Sequence, residues 1–216
     1  MAPRRKKRPY DARGRQAAAE ETRRSILESA RRIFIERGYA GATMPAIAEQ
    51  AGIALDTVYA AVGRKPALFR LLVESAISGI DAAVPAEQRD YVRAIRAEPD
   101  AGAKLRIYAA ALGEILPRLA PIFKVLQAAS SQDEDLGALW QEISRRRAAN
   151  MRLLAKDLAE TGRLRPSLSV AEVADILWSM NAPEFFLMLV EQRGWSPAQF
   201  ADWLGDAWIR LLLDVG

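Results

Sequence analysis

Five consecutive cations, Arg4, Arg5, Lys6, Lys7 and Arg8, stand between Pro3 and Pro9 and carry the most evident chemistry in this chain. Guanidinium and ammonium groups on a segment that prolines keep out of a helix can follow a row of phosphates or dip into a minor groove, displacing counterions. The same composition also suits a solvated tail that aids solubility. The charge is regional. Residues 1–15 hold seven basic residues and one acidic, residues 1–65 fourteen against seven, and residues 66–216 seventeen against twenty. Other reagents are few. The chain has no histidine and no cysteine, which removes Ser-His and Cys-His nucleophile systems and both imidazole and thiolate metal sites. No P-loop and no G-x-G-x-x-G pattern occurs. Asp133, Glu134 and Asp135 are adjacent acids in a polar stretch, the pattern of a solvated helix cap. No enzyme activity, catalytic residue, metal or other cofactor is expected.

Residues 43–65, TMPAIAEQAGIALDTVYAAVGRK, are the element beside which such an arm would act. Thr43 is an N-cap residue and Pro45 falls in a first turn, where its missing N–H costs nothing. Ile47, Ala48 and Ala51 recur at helical spacing, and Gly52 tolerates the positive φ that ends a helix. A second helix over 55–61 would bury Val58. A small residue at 48, a glycine at 52 and a β-branched residue at 58 allow close approach, a tight turn and a wedge. Those are the needs of a helix-turn-helix whose second helix enters a major groove, and equally of an ordinary αα-hairpin inside a bundle.

The flanks bear on that choice. Upstream, 22–38 is an amphipathic helix with Ile26, Leu27, Ala30, Ile33 and Phe34 as its stripe and Gly38 as its stop. Downstream, Lys65-Pro66-Ala67-Leu68-Phe69 opens another helix. The ordered set Gly38-Tyr39-x-Gly41-x-Thr43, Ala51-Gly52-Ile53, Thr57-Val58-Tyr59 and Arg64-Lys65-x-Ala67-Leu68-Phe69 closely resembles the DNA-binding domain of the TetR family of transcriptional regulators. The resemblance is dense over 22–69 and general beyond.

It implies an all-α protein: an N-terminal three-helix helix-turn-helix DNA-binding domain, then a C-terminal helical bundle for ligand binding and dimerisation. The divisions are a basic arm at 1–15, the DNA-binding domain at 16–65 and the bundle at 66–216. By position, the resemblance makes Thr43 and Met44 phosphate and base contacts. Thr57, Tyr59 and Lys65 become phosphate ligands, and Asp56, Ala60 and Ala61 the groove-facing side, with Arg4 and Arg5 of the arm beside them. Ala60 and Ala61 replace bulkier residues and Val62 a frequent phenylalanine. Two alanines touch thymine methyls but cannot hydrogen-bond base edges, so specificity would lean on Met44, Asp56, the arm and DNA shape.

From Pro66 on, the periodicity predicts helices throughout. They fall at 66–80, 86–97, from the Asp100 cap to Pro117 and Pro121, which bend or end it, at 122–130, and from the Asp133 cap to Thr161, this last the longest. Another starts at a Ser169/Glu172 capping box and runs to 192 with a kink near Pro183, and a final one spans 197–213. In the final helix Phe200, Trp203, Leu204, Ala207, Trp208 and Leu211 form an unbroken stripe, and Phe185 belongs to an earlier helix apolar on more than one face. Such belts must be buried, within the subunit or against another. The resemblance implies a homodimer through these two helices. It also places a pocket between them and the DNA-binding unit. There Tyr108, Phe123, Trp140, Met151 and Trp178 could line an apolar cavity, while Arg147 and Asn150 interrupt an apolar stripe and would need a partner, which a ligand can be. The alternative keeps the aromatics as core and turns Arg147 to solvent.

The expected protein is a repressor that binds a palindromic double-stranded DNA operator as a homodimer and is released by a small, largely apolar effector. A helical interaction module without DNA binding is the competing reading. No run is apolar enough to span a bilayer and no signal-peptide stretch opens the chain, so no membrane partner and a cytoplasmic location are expected.

Overall fold

A computed structural model describes residues 12–214 of the chain. Its first helix, α1 (Ala12–Gly41), begins well upstream of residue 22. Residues 16–20, QAAAE, are exposed good helix formers, and an apolar stripe that starts only at Ile26 gives no sign of them. Arg4 and Arg5 lie outside the described residues. Gly38 leaves the helical path at φ 67°, ψ 178°, and a last turn follows to Gly41. Next come α2 (Met44–Ala51), α3 (Leu55–Val62) and α4 (Lys65–Ser78). Ile26, Ile33, Phe34, Ile47, Val58, Leu68 and Phe69 are fully buried where α1 to α4 meet.

A 3-10 turn (Ala86–Gln88) and α5 (Asp90–Ala97) lead to α6 (Ala101–Ala129). This helix corrects two expectations. Pro117 and Pro121 lie inside it without ending it, and at 29 residues it exceeds the 27 of α7 (Glu134–Glu160). An internal proline costs about 3 kcal/mol. Burying Leu119, Ile122, Phe123 and Leu126 beyond the first proline contributes about 1.5–3 kcal/mol each, so packing outweighs propensity. α6 runs through the bundle against α1, α4, α5, α7, α9 (Pro183–Leu187) and α10 (Pro197–Leu212).

Between α7 and α10 the chain bends. The Ser169/Glu172 capping box opens α8 (Val170–Met180), which stops at Asn181. α9 (Pro183–Leu187) and a π-helical turn (Met188–Gln192) continue at 47° to it. The remaining order comes from one antiparallel bridge, Leu164 to Leu213, that clips the α7–α8 connector to the end of α10. Among the described residues no single helix is long and apolar enough to cross a membrane.

Candidate functional site

The recognition geometry is built from local signals. Thr43 Oγ1 accepts the Ala46 N–H at 3.3 Å and fixes the start of α2. Gly52, at φ 67°, ψ 30°, ends it, its N–H donating to Glu49 O at 3.1 Å and the Ile53 N–H to Ala48 O at 3.0 Å. Val58 and Val62 face inward, so α3 turns Asp56, Thr57, Tyr59 and Ala60 to solvent, with Tyr59 41% exposed. Exposed hydroxyls at Thr43, Thr57 and Tyr59 can donate to phosphates. The Asp56 carboxylate can only accept, which on a base edge suits a cytosine amine, and Ala60 offers a methyl contact.

Two residues depart from their expected places. Met44 is 6% exposed and packs in the core beneath α2, which leaves little of it for a base edge. Ala61 is half-buried against the same core. Lys65 begins α4 with its ammonium 4.3 Å above the centre of the Tyr39 ring. That ring packs edge-on to Phe69 at 5.4 Å. Burial lowers the Lys65 pKa, opposed by the charge of Asp133. Burial, and then Asp133 and Asp135, push the Tyr39 phenol up to about 12. The start of α7 therefore acts by charge on Tyr39 and Lys65 beside the helix-turn-helix.

Behind that unit, the sides of α4, α5, α6 and α7 enclose a cavity of about 500 Å³, within the range of small-molecule sites. Ile77, Val92, Leu112, Ile115, Leu119 and Leu154 form much of its wall. Of the residues expected there, Tyr108, Arg147, Asn150 and Met151 line it, whereas Phe123, Trp140 and Trp178 do not. Phe123 and Trp140 pack on each other at 4.7 Å. Trp178 lies on the outside of α8 beneath the Arg147 guanidinium, 5.2 Å from its ring centre.

One polar network closes a flank of the cavity. Asn181 Nδ2 donates to the Tyr108 hydroxyl at 2.8 Å and to Met151 Sδ at 3.0 Å. Arg147 Nη2 donates to Asn181 Oδ1 at 2.6 Å and to the Trp178 carbonyl at 2.9 Å. Burial lowers the Arg147 pKa, against the pull of Tyr108 and Glu184. Tyr108 stacks on Trp208 at 5.5 Å and Tyr91 at 6.1 Å. Asn181 was not expected, although a lone amide in the largely apolar run ILWSMNAPEFFLML, two residues before a proline, was a legible sign. Lys104 and Asp157 were missed as well. Lys104 Nζ, nearly inaccessible, donates to Asp157 Oδ2 and to Ile95 O, both at 2.8 Å.

The expected dimer stripe is divided. Phe200, Leu204 and Trp208 are fully buried, in a helix that packs chiefly on α6. Close approach is possible because Gly113 faces Ala201, whose methyl would lie 2.9 Å from any Cβ added at 113. Trp203 at 39% and Leu211 at 49% remain exposed, Ala207 is half-buried, and Phe185 packs 5.9 Å from Trp203.

A helix-turn-helix with an exposed second helix is thus joined to a hollow helical bundle. Residues 26–72 match the bacterial regulatory proteins of the tetR family. Among solved structures it is similar to NalD, the secondary repressor of the MexAB-OprM multidrug efflux pump in Pseudomonas aeruginosa. The identity is 22%, with a TM-score of 0.70 over 93% of this chain and all of that one. The SmeT–triclosan complex is similar at 20% identity and TM-score 0.62, over 91% of this chain and 93% of the other. A comparison with curated protein sequences gave no match.

Proposed function

We propose that the chain is a repressor that binds a palindromic operator as a homodimer and leaves it when a small, largely apolar molecule fills the cavity. The observation that carries this reading is the exposed Asp56, Thr57, Tyr59 and Ala60 face of α3, backed by a hollow bundle. Thr43, Thr57, Tyr59 and Lys65 hold phosphates and Asp56 and Ala60 read bases. The division is an arm at 1–15, a DNA-binding domain at 16–65 and a bundle at 66–216, with α1 crossing the first boundary. Two neighbours, an efflux-pump repressor and a triclosan complex, support a ligand-gated repressor.

The route from cavity to DNA runs along α4. Its Arg70 pairs with Glu142 at 2.8 Å and its Glu74 with Arg146 at 2.7 Å, both partners on α7 and the second next to Arg147 in the chain. Exposed Val170, Trp178, Met188, Trp203 and Leu211 on α8, the π turn and α10 support a two-fold contact there. That contact would set two α3 helices about 34–36 Å apart on DNA. Fluorescence anisotropy with duplexes from the DNA upstream of the chain's own coding sequence tests the proposal. Nanomolar binding to one duplex, reversed by a fraction of a metabolite extract, is expected. Equal affinity for random duplex rules out a specific operator there, and binding that no fraction reverses rules out gating.

A further inference from the structure

Five cations line the cavity: Arg89, Arg96, Arg146, Arg147 and Lys156. Arg146 pairs with Glu74, and Arg89 spends Nε, Nη1 and Nη2 on the Val84 carbonyl and the Tyr91 hydroxyl. Arg147 makes no ion pair among the described residues. Its two hydrogen bonds leave from a single nitrogen, Nη2, and go to neutral oxygens of Trp178 and Asn181. Nη1 and Nε make no hydrogen bond within the described residues. The carboxylate that acts on it, Glu184, does so only through space, and Glu184 Oε2 is buried without a hydrogen-bond partner. On the same flank the Tyr108 hydroxyl accepts from Asn181 and keeps its own proton to donate. Burial raises its pKa, so the proton stays on at neutral pH. Asn181 thus orients two donors, a guanidinium fork and a phenol, at the edge of an aliphatic wall. Such a fork matches the two oxygens of a carboxylate.

We infer that the effector is an amphiphile with a carboxylate-type anionic head on an apolar body, the head received by Arg147 and Tyr108. This rests on the ligand-gated reading and narrows it to a chemical class. Glu184 is then the resident charge that the head must displace in effect, and it holds down the affinity for the anion without touching that for a neutral molecule.

Isothermal titration of the full-length protein with decanoate, 1-decanol and decyltrimethylammonium, which share one chain and differ in head group, decides the point. Decanoate is expected to bind at least about tenfold more tightly than decanol, the yield of one charge-assisted hydrogen bond, with the ammonium weakest. Arg147→Met should bring decanoate to the level of decanol. Glu184→Gln, which opens no hole in the core, should tighten decanoate severalfold and leave decanol unchanged, and it keeps the test decisive if Arg147→Met fails to fold. Equal affinity for decanoate and decanol, or a Glu184→Gln effect shared by both, overturns the anionic head and leaves the cavity reading intact. Failure of all three to bind also overturns it, while gating stands or falls separately on release of DNA by metabolite fractions.

Discussion

Replacing Asp157 with alanine removes the carboxylate that pairs with Lys104. Lys104 is 3% exposed, and the remaining acceptor of its ammonium would be the carbonyl of Ile95 at 2.8 Å. Breaking a fully buried pair from one side costs about 3–5 kcal/mol. The Asp157 side chain is 29% exposed, which screens the pair and brings the expected loss to about 2–3 kcal/mol. The converse change, Lys104→Met, is milder for two reasons. The Ile95 carbonyl still accepts the Glu98 N–H at 3.3 Å, and the orphaned carboxylate turns toward water. Its expected loss is about 1 kcal/mol, the net worth of an ordinary hydrogen bond. Urea denaturation followed by circular dichroism, at one fixed protein concentration because a dimer's stability depends on it, gives both values from the midpoint and slope. A Lys104→Met loss equal to or above that of Asp157→Ala would refute the reasoning, because the ammonium would not then be the group that needs its partner.

Tyr59→Phe deletes one hydroxyl from a side chain 41% exposed, so it should leave folding unchanged and weaken operator binding by about 1–2 kcal/mol, as for a hydrogen bond to a charged acceptor; unchanged anisotropy titrations would remove Tyr59 from the phosphate contacts. Trp203→Glu places a carboxylate beside Phe185 and Trp195, at 5.9 and 5.7 Å from the present ring. It should convert a dimer to a monomer in sedimentation velocity, and a parent that is monomeric at micromolar concentration would move the interface elsewhere. Deleting residues 1–9 removes five cations and should weaken specific and random duplex alike, lowering the salt slope by about 0.9 for each phosphate the arm neutralises; an unchanged slope would make the arm a bystander.

The DNA-binding unit was legible because its determinants are local. Thr43, Pro45 and Gly52 act on their own turns, and Val58 needs only the helix before it. The middle of the chain was not, and one misreading produced another. Taken as helix breakers, Pro117 and Pro121 leave two short helices in place of α6, and two short helices cannot cover Phe200, Leu204 and Trp208. Those residues then look like surplus apolar surface for a dimer. The unbroken α6 buries them within the subunit and leaves Trp203 and Leu211 outside. Arg147 could be read as inward or outward from its stripe, because its place depends on Asn181 and Trp178, more than thirty residues away. Phe123 and Trp140 illustrate the same limit: composition suits them to a cavity wall, and only the packing of α6 on α7 turns them onto each other.

The central claim is that two copies of α3 read one operator. Hydroxyl-radical footprinting of the chain on its own upstream DNA tests it most directly. Two protected patches related by a two-fold axis and centred about 34–36 Å apart along the duplex are expected, both lost together in Trp203→Glu. A single unpaired patch, or protection spread evenly over the fragment, would contradict it.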